Sequence, residues 1–256
     1  MNKKNKTKIL LLDIETAPNI AYIWAKYEQN ALEFLKETYI LCFSFKWLGA
    51  KTTHAVALPD FKRFKKDPTD DLEVVQYVWK LLDEADIVIA HNGDAFDIKK
   101  INARFLFHGM KPPSPYRTVD TKKAAKRVFA MNSNKLDDIG NYLKLGRKMS
   151  TGGWDLWSEC LRGNMKSWKK MVAYNIQDVV LLEKVYLKLL PWILNHPNVN
   201  AIDNKPDSCP NCGSNKLHSR GTVTIVGGTV KTRYQCQTCG KWGHSKQEKS
   251  NVNIKG

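Results

Sequence analysis

The chain has 256 residues, of which 43% are hydrophobic, and its 41 lysines and arginines outnumber its 25 aspartates and glutamates to give a formal net charge of +16. This length suffices for one large domain or two smaller ones, and the strong positive charge indicates a polyanionic partner such as nucleic acid. No apolar stretch approaches the ~20 residues of a membrane-spanning helix, and the polar, basic residues 1–8 do not resemble a signal peptide. We therefore expect a cytoplasmic or nucleic-acid-associated intracellular protein that is not secreted and does not bind membranes.

The first predicted element is a buried strand that ends in two carboxylates. Residues 8–16 read KILLLDIET, so a short apolar run leads directly into Asp13 and Glu15. Because side chains alternate along a strand, both carboxylates emerge on the same face, where they repel each other unless a cation neutralises them. Oxygen ligands clustered in this way suit Mg²⁺ or Mn²⁺. The alternative is a solvated strand end, where both acids face water at no cost.

The elements that follow combine strands with helices. The predicted order is a loop and short helix over 20–38, strands over 39–48 and 52–58, a helix over 71–85, strand 86–90, a helix from about 95 to 107, strand 116–121, and helices over 121–129, 135–145 and 167–190. This order predicts an α/β fold in which helices flank a mixed sheet.

Two further motifs lie at the ends of these elements. The sequence HNGDAFD at 91–97 follows a buried strand and opens a helix, so Asp97 is predicted in the first helical turn. Tyr174 and Asp178 are four residues apart and lie on the same face of the long predicted helix.

In this order, the sequences DIET at 13–16, HNGDAFD at 91–97 and YNIQD at 174–178 resemble the three exonuclease motifs of the DEDD superfamily. A tyrosine four residues before the last aspartate resembles the DEDDy branch. Residues 135–140, KLDDIG, also resemble a segment of the proofreading domains of family B DNA polymerases. The resemblance spans roughly residues 8–190.

This resemblance implies an RNase H-like fold and a metal-dependent 3′→5′ exonuclease that acts on single-stranded nucleic-acid ends, with DNA preferred over RNA. It implies that Asp13, Glu15, Asp97 and Asp178 hold two Mg²⁺ or Mn²⁺ ions. Tyr174 would orient the attacking water through its hydroxyl; the alternative is a core tyrosine. The expected partners are single-stranded DNA and a separate polymerase or a replication or repair protein.

Three residues are candidates for contact with the substrate. Asn92 is predicted to hydrogen-bond the terminal nucleotide, and Phe96 is predicted to pack against its base or sugar, or else to belong to the core. Trp154 is predicted to stack on unpaired bases, with a buried tryptophan as the alternative. Asp120 is either a carboxylate that supports the acidic residues or the N-cap of the helix that follows it.

The C-terminal residues contain two Cys-x-x-Cys pairs, 209–212 and 236–239, separated by 23 residues. Four thiolates in this arrangement predict a structural zinc site with ligands Cys209, Cys212, Cys236 and Cys239. The alternation on either side of Gly227-Gly228 predicts a hairpin, so this region resembles a small zinc-ribbon β module. Disulfides or a redox Cys-x-x-Cys are the alternatives.

The predicted domains are an RNase H-like domain at 1–194, a linker at 195–208 and a zinc ribbon at 209–256. From residue 204 onward nine lysines and arginines accompany two acidic residues, so the ribbon is expected to bind nucleic acid or a partner protein. Two alternatives to an exonuclease are a non-catalytic nucleic-acid-binding protein on the same fold and a structure-specific endonuclease.

Overall fold

The structure is a computed structural model of the chain, and it describes residues 6–27, 30–225 and 228–245. The chain divides into two compact units, Lys8–Tyr186 and the combination of Met1–Thr7 with Leu187–Gly256. The domain boundaries predicted at residues 194 and 208 stay a prediction.

Among the described residues, the larger unit contains seven strands and most of the helical residues. Its strands are β1 (Ile9–Thr16), β2 (Ile20–Tyr22), β3 (Glu33–Lys36), β4 (Ile40–Trp47), β5 (His54–Ala57), β6 (Ile87–Ala90) and β7 (Arg117–Asp120). Its helices are α1 (Leu72–Glu84), α2 (Asp97–Phe107), α3 (Thr121–Val128), α4 (Leu136–Tyr142), α5 (Trp154–Leu161) and α6 (Met165–Leu189), the last of which continues into the smaller unit. The predicted α/β fold class is confirmed.

A five-stranded mixed sheet of order β5-β4-β1-β6-β7 organises this unit. The central strand β1 pairs antiparallel with β4 and parallel with β6. Residues 9–12 of β1 are buried, as expected for a strand covered on both faces. Because Leu11 pairs with Ile89, Asp13 lies level with the turn that leads from β6 into α2. The sheet therefore brings the first and second acidic motifs to one edge.

The hydrophobic core combines sheet residues with helices packed on the sheet. Val75, Val78 and Leu82 of α1 join buried residues of β1 and β4, as do Trp168 and Met171 of α6. Burial of side chains of this size contributes about 1.5–3 kcal/mol each. The core thus fixes α6, which carries Tyr174 and Asp178, relative to β1.

The segment 20–38 differs from its prediction, because it forms the antiparallel hairpin β2–β3 rather than a loop and a short helix. Its strands have only three and four residues, and a register irregularity follows Ile20. No sustained alternation of apolar and polar residues therefore marks the strands in the sequence. Helix α5 was not predicted; it begins at Trp154, directly after Gly152 and Gly153.

The smaller unit contains helix α7 (Val199–Ile202) and strands β8 (Leu217–Thr224), β9 (Val230–Cys236) and β10 (Trp242–His244), which form an antiparallel sheet of order β10-β9-β8. The predicted turn at Gly227-Gly228 includes residue 227, which lies outside the described residues. Residues predicted as a linker carry α7, whose N-cap Asn198 accepts a hydrogen bond from the Ala201 backbone.

No helix in the described part of the chain has the length and apolar character that crossing a bilayer requires.

Candidate active site

Three carboxylates converge where β1 meets helix α6. Oxygen atoms of Asp13, Glu15 and Asp178 lie within 4.8 Å of one another. Asp13 and Glu15 share a face because they are two residues apart on β1, and their partners across the ladder on β4 are Ser44 and Cys42. A cluster of carboxylate oxygens with this spacing suits a divalent cation such as Mg²⁺ or Mn²⁺.

Asp97 lies beside this cluster at the first residue of α2. Its Oδ1 accepts a hydrogen bond from the backbone N–H of Ile14 at 3.1 Å, and the residue is buried. Among the described residues, the group whose oxygens lie within 4.8 Å of one another does not include Asp97. Asp97 is thus attached to β1 between the two acidic residues of that strand, and its role as a metal ligand stays a prediction.

The turn between β6 and α2 determines where Asp97 is placed. Asn92 adopts a φ of 67°, in the left-handed region, and its backbone N–H donates to Asp120 Oδ1 at 3.0 Å. Gly93 packs so closely that a Cβ there would lie 2.3 Å from the Cβ of Ala90. Only glycine fits this approach, which accounts for the HNG sequence.

The electrostatics of the site favour a bound cation. Burial first, and then the charges of Asp97 and Glu15, raise the pKa of Asp13 well above its usual value. Burial followed by the charge of Asp178 raises the pKa of Glu15 to about 8, and burial raises the pKa of Asp97 to about 7. Carboxylates that resist ionisation in this way gain most from a positive charge placed among them.

One lysine, which the sequence motifs did not identify, supplies positive charge at the cluster. Lys148 Nζ lies 2.5 Å from Asp178 Oδ2 and donates to the Tyr174 hydroxyl at 3.1 Å. Its backbone N–H donates to Asp137 Oδ1 at 2.6 Å, which fixes the segment after α4. Although burial lowers it, the charge of Asp178 and the hydrogen bond to Asp178 raise the pKa of Lys148. Lys148 therefore carries its charge next to the acids.

Tyr174 lies one helical turn before Asp178 and faces the cluster. Its ring meets Trp157 edge-on, with centroids 6.4 Å apart, and the Trp157 indole N–H donates to the Thr16 carbonyl at 3.3 Å. Burial, followed by the charge of Asp178, raises the pKa of Tyr174 above its ordinary value. The phenol therefore stays protonated at neutral pH and is available as a hydrogen-bond donor.

Asn175 is a second site residue that the sequence analysis missed. Its Nδ2 donates to Asp13 Oδ2 at 2.6 Å, and the residue is fully buried. Two buried acceptors beside this contact, Asn175 Oδ1 and Asp178 Oδ1, have no hydrogen-bond partner among the described residues. Buried oxygens without partners are uncommon in native proteins, and here they fit a site that a cation or its water ligands complete.

Of the three residues predicted to contact substrate, Phe96 and Trp154 are exposed and Asn92 is half-buried. Phe96 is 38% exposed and Trp154 is 60% exposed, so neither is a buried core residue. The Asn92 side-chain oxygen accepts from Lys122 Nζ at 3.3 Å. Their roles in substrate binding stay predictions.

Asp120 is the N-cap of α3, as one of the two alternatives for this residue predicted. Its Oδ1 accepts from the backbone N–H groups of Lys122 at 3.0 Å and Lys123 at 3.2 Å. The same oxygen accepts from Asn92 at 3.0 Å.

The four cysteines of the smaller unit form a separate cluster whose sulfur atoms lie within 4.8 Å of one another. The Cys209–Cys239 and Cys212–Cys236 sulfurs are each 3.6 Å apart, whereas a disulfide requires about 2.05 Å. Tetrahedral zinc with Zn–S bonds of about 2.3 Å separates its sulfurs by about 3.8 Å. The four thiols therefore suggest a structural zinc site.

Comparison with known proteins agrees with this architecture. The family model of the RNase_H superfamily matches residues 28–190, more than half of the chain. The structure is similar to that of the family B DNA polymerase from the hyperthermophilic archaeon Pyrobaculum calidifontis, with a TM-score of 0.52 and 10% sequence identity. That similarity covers 87% of this chain but only 31% of the polymerase, and it concerns the fold alone. No curated protein sequence matches this chain.

The matched region contains the whole of α2 and α6, and therefore Asp97 and Asp178, whereas β1 precedes it. The acidic cluster of β1 and α6 is suggestive of a nuclease active site, and the fold implies a nucleic-acid substrate. On the extent of the family match, this chain belongs to the RNase_H superfamily.

Proposed function

We propose that this protein is a metal-dependent 3′→5′ exonuclease of the DEDDy type that hydrolyses phosphodiester bonds at single-stranded ends, with DNA preferred over RNA. The observation that carries the proposal is the convergence of Asp13, Glu15 and Asp178, with Lys148 in contact with both Asp178 and Tyr174.

The carboxylates are the proposed metal ligands. Asp13, Glu15 and Asp178 would hold Mg²⁺ or Mn²⁺, and Asp97 beside β1 would complete a site for two ions. Such ions stabilise the attacking and leaving oxygens of a phosphodiester and lower the pKa of a bound water. Their charge would offset the burial and, after it, the repulsion by Asp97 and Glu15 that raise the pKa of Asp13.

The other side chains of the site orient the attacking water and one ligand carboxylate, and they supply positive charge. Tyr174, protonated at neutral pH, orients the attacking water by donating a hydrogen bond from its hydroxyl group. Lys148 holds that hydroxyl through its contact at 3.1 Å and adds positive charge where the phosphate acquires negative charge. Asn175 fixes Asp13 Oδ2 through its side-chain amide, which orients one ligand carboxylate.

Exposed aromatic residues support a single-stranded substrate. Unpaired bases stack on aromatic side chains regardless of sequence, and Phe96 and Trp154 are both accessible for this contact. The 3′→5′ polarity and the preference for DNA rest on the resemblance of the three motifs. The basic zinc ribbon would assist by binding substrate or a partner, for which a separate polymerase or repair protein is proposed.

The direct test measures release of mononucleotides from 3′-end-labelled single-stranded DNA and RNA in Mg²⁺ or Mn²⁺. We expect Asp13→Asn and Asp178→Asn to lower the rate by about a thousandfold or more, because each removes ligand charge worth several kcal/mol. Glu84→Gln is the matched control, because Glu84 is an exposed carboxylate paired with Lys8. Its rate should equal that of the native chain.

Other outcomes separate the alternatives. Cleavage of circular single-stranded DNA would support an endonuclease, because an exonuclease needs an end. Binding of oligonucleotides without cleavage in any divalent cation would support a non-catalytic protein. Equal rates for Asp13→Asn, Asp178→Asn and the native chain would refute the assignment of the active site.

A further inference from the structure

The three-stranded sheet of the smaller unit presents one basic face. Trp242 lies opposite Gln235 and His244 lies opposite Arg233 across the β9–β10 ladder, and His218 lies opposite Gln235 across the β8–β9 ladder. Residues opposite each other and two apart on a strand share a face. The residues of this basic face are His218, Lys231, Arg233, Gln235, Trp242 and His244.

The opposite face of the same sheet has different chemistry. It carries Thr232 and Tyr234 of β9 and the zinc ligand Cys236, because these alternate with the basic residues. The Tyr234 ring covers Gly243, where a Cβ would lie 2.4 Å from the phenol oxygen. The neutral face is therefore occupied by the cysteine cluster and the packing around it.

The positive charge of the region that contains this sheet is not offset by acidic residues. Residues 208–245 contain five lysines and arginines and no aspartate or glutamate. A protein partner of mixed charge does not require this complete absence of acidic side chains. A polyanion does gain from it, because no acidic side chain within residues 208–245 repels a bound phosphate.

An arginine and a tryptophan at the centre of the basic face are held in a fixed arrangement. The Arg233 guanidinium lies 5.2 Å from the centroid of the Trp242 ring and donates from Nε and Nη2 to the Arg220 carbonyl at 3.2 and 3.1 Å. Trp242 remains 46% exposed. A ring held by a cation on one side and open to solvent elsewhere is suited to stacking on a base.

We propose that the basic face binds single-stranded nucleic acid, with Trp242 stacked on an unpaired base and Arg233 and Lys231 in contact with flanking phosphates. A duplex keeps its bases stacked inside and offers Trp242 no free π-face, so the single strand is the favoured ligand. The inference rests on the proposed function for the class of polymer but not for cleavage.

The test measures fluorescence anisotropy of labelled oligonucleotides of about 15 nucleotides, the upper range of small single-strand sites. Oligo-dT, oligo-U and a duplex of equal length are each titrated with the full, zinc-loaded chain carrying Asp13→Asn, so that the probe is not consumed. We expect Trp242→Ala to weaken single-strand binding about tenfold, the loss of one stacked base, and Trp242→Phe to retain most of the affinity.

The charge contribution is tested with Arg233→Gln, which should lower the slope of log affinity against log salt by about 0.7, one single-strand phosphate contact. Lys205→Gln removes an equal charge from the same unit but outside the sheet, next to Asp203, and Thr232→Ala alters the neutral face. Both controls should bind as the parent does. Zinc content of each variant reports that the module is folded.

The results separate this inference from the proposed function. If the Trp242 and Arg233 variants lose binding to DNA or RNA and the two controls do not, the basic face is the binding site. This conclusion holds even if the native chain cleaves nothing. Unchanged affinity in these variants, an equal loss in Lys205→Gln, or tighter binding of the duplex overturns it, even if the native chain is a nuclease.

Discussion

The described residues include two clusters of candidate metal ligands, and their surroundings support them in opposite ways. The carboxylates of Asp13, Glu15 and Asp178 lie on elements fixed by a large apolar core. The cysteines join a sheet in which β8 has no buried residue and β9 has only Cys236. In the larger unit the apolar core positions the ligands, whereas in the smaller unit we expect zinc bound by the cysteines to stabilise the sheet.

This difference predicts what the removal of metal does to each cluster. Loss of divalent cations should disable the acidic cluster and leave its sheet intact, because the core does not depend on them. Loss of zinc should unfold the small sheet, because strands with so few buried side chains lack the hydrophobic free energy to fold alone.

The largest expected effect is therefore that of Cys236→Ser. We expect it to abolish zinc binding and the β8–β10 sheet, since structural zinc contributes about 10 kcal/mol or more to modules of this kind. Hydrogen exchange should show amides of 217–244 becoming unprotected while those of β1, β4 and β6 stay protected. The control is Cys160→Ala, because Cys160 is a buried cysteine outside the cluster. This variant should retain zinc. Unfolding of both units together in Cys236→Ser would contradict the comparison.

The next effect concerns Lys148, the cation that the larger unit supplies to its own acids. Lys148→Met should lower the free energy of unfolding by about 3 to 5 kcal/mol in protein free of Mg²⁺ and Mn²⁺, because it leaves Asp178 buried without its partner. Either cation should recover part of this loss, as measured by denaturant unfolding with and without metal.

Lys46→Met is the matched control for this prediction. Lys46 forms a similarly buried ion pair with Glu183 at 2.6 Å, outside the acidic cluster. It should also destabilise the protein, but without recovery by Mg²⁺ or Mn²⁺. Equal recovery in both variants would mean that the cations do not act at the acidic cluster.

The smallest expected effect also concerns the larger unit. There burial lowers the pKa of a histidine, whereas it raises the pKa values of the carboxylates. Burial lowers the pKa of His91 to about 4, and its ring nitrogens lie 2.9 Å from Thr121 Oγ1 and the Asn134 carbonyl. Below pH 6.5 the unfolded chain binds the proton first, so the free energy of unfolding should fall by up to about 3 kcal/mol between pH 6.5 and 4.

Denaturant unfolding across this pH range checks the expected dependence. His91→Gln should remove this part of the decline, whereas the same change at the exposed His54 should leave it in place. Parallel pH curves for native protein and His91→Gln would show that the buried imidazole is not the cause.

Much of the site could be predicted because its signals are local. The one-residue spacing of Asp13 and Glu15 on an apolar strand sets their common face, and the four-residue spacing of Tyr174 and Asp178 sets theirs. Asn175 was also within reach, since it lies three residues before Asp178 and such residues are neighbours on a helix. The Cys-x-x-Cys spacing likewise predicted the cluster of four thiols.

Lys148 could not be predicted, because its position depends on tertiary structure. It lies between α4 and α5, and only the hydrogen bond from its backbone to Asp137 and the course of the chain near α6 bring its ammonium group to Asp178. The β2–β3 hairpin was missed for a related reason. Its short strands are stabilised by pairing with each other, and its large side chains such as Tyr22 and Phe34 remain exposed.

A single oxygen atom, Oδ1 of Asp120, accepts hydrogen bonds from Asn92 at the turn before α2 and from two residues that begin α3. These two segments are far apart in sequence, yet neither can be displaced without disturbing the other. Substitutions that displace the lysine-rich helix α3 should therefore also displace the start of α2, where Asp97 contacts β1. The arrangement of the acidic cluster therefore depends partly on α3, a helix that contributes no carboxylate to that cluster.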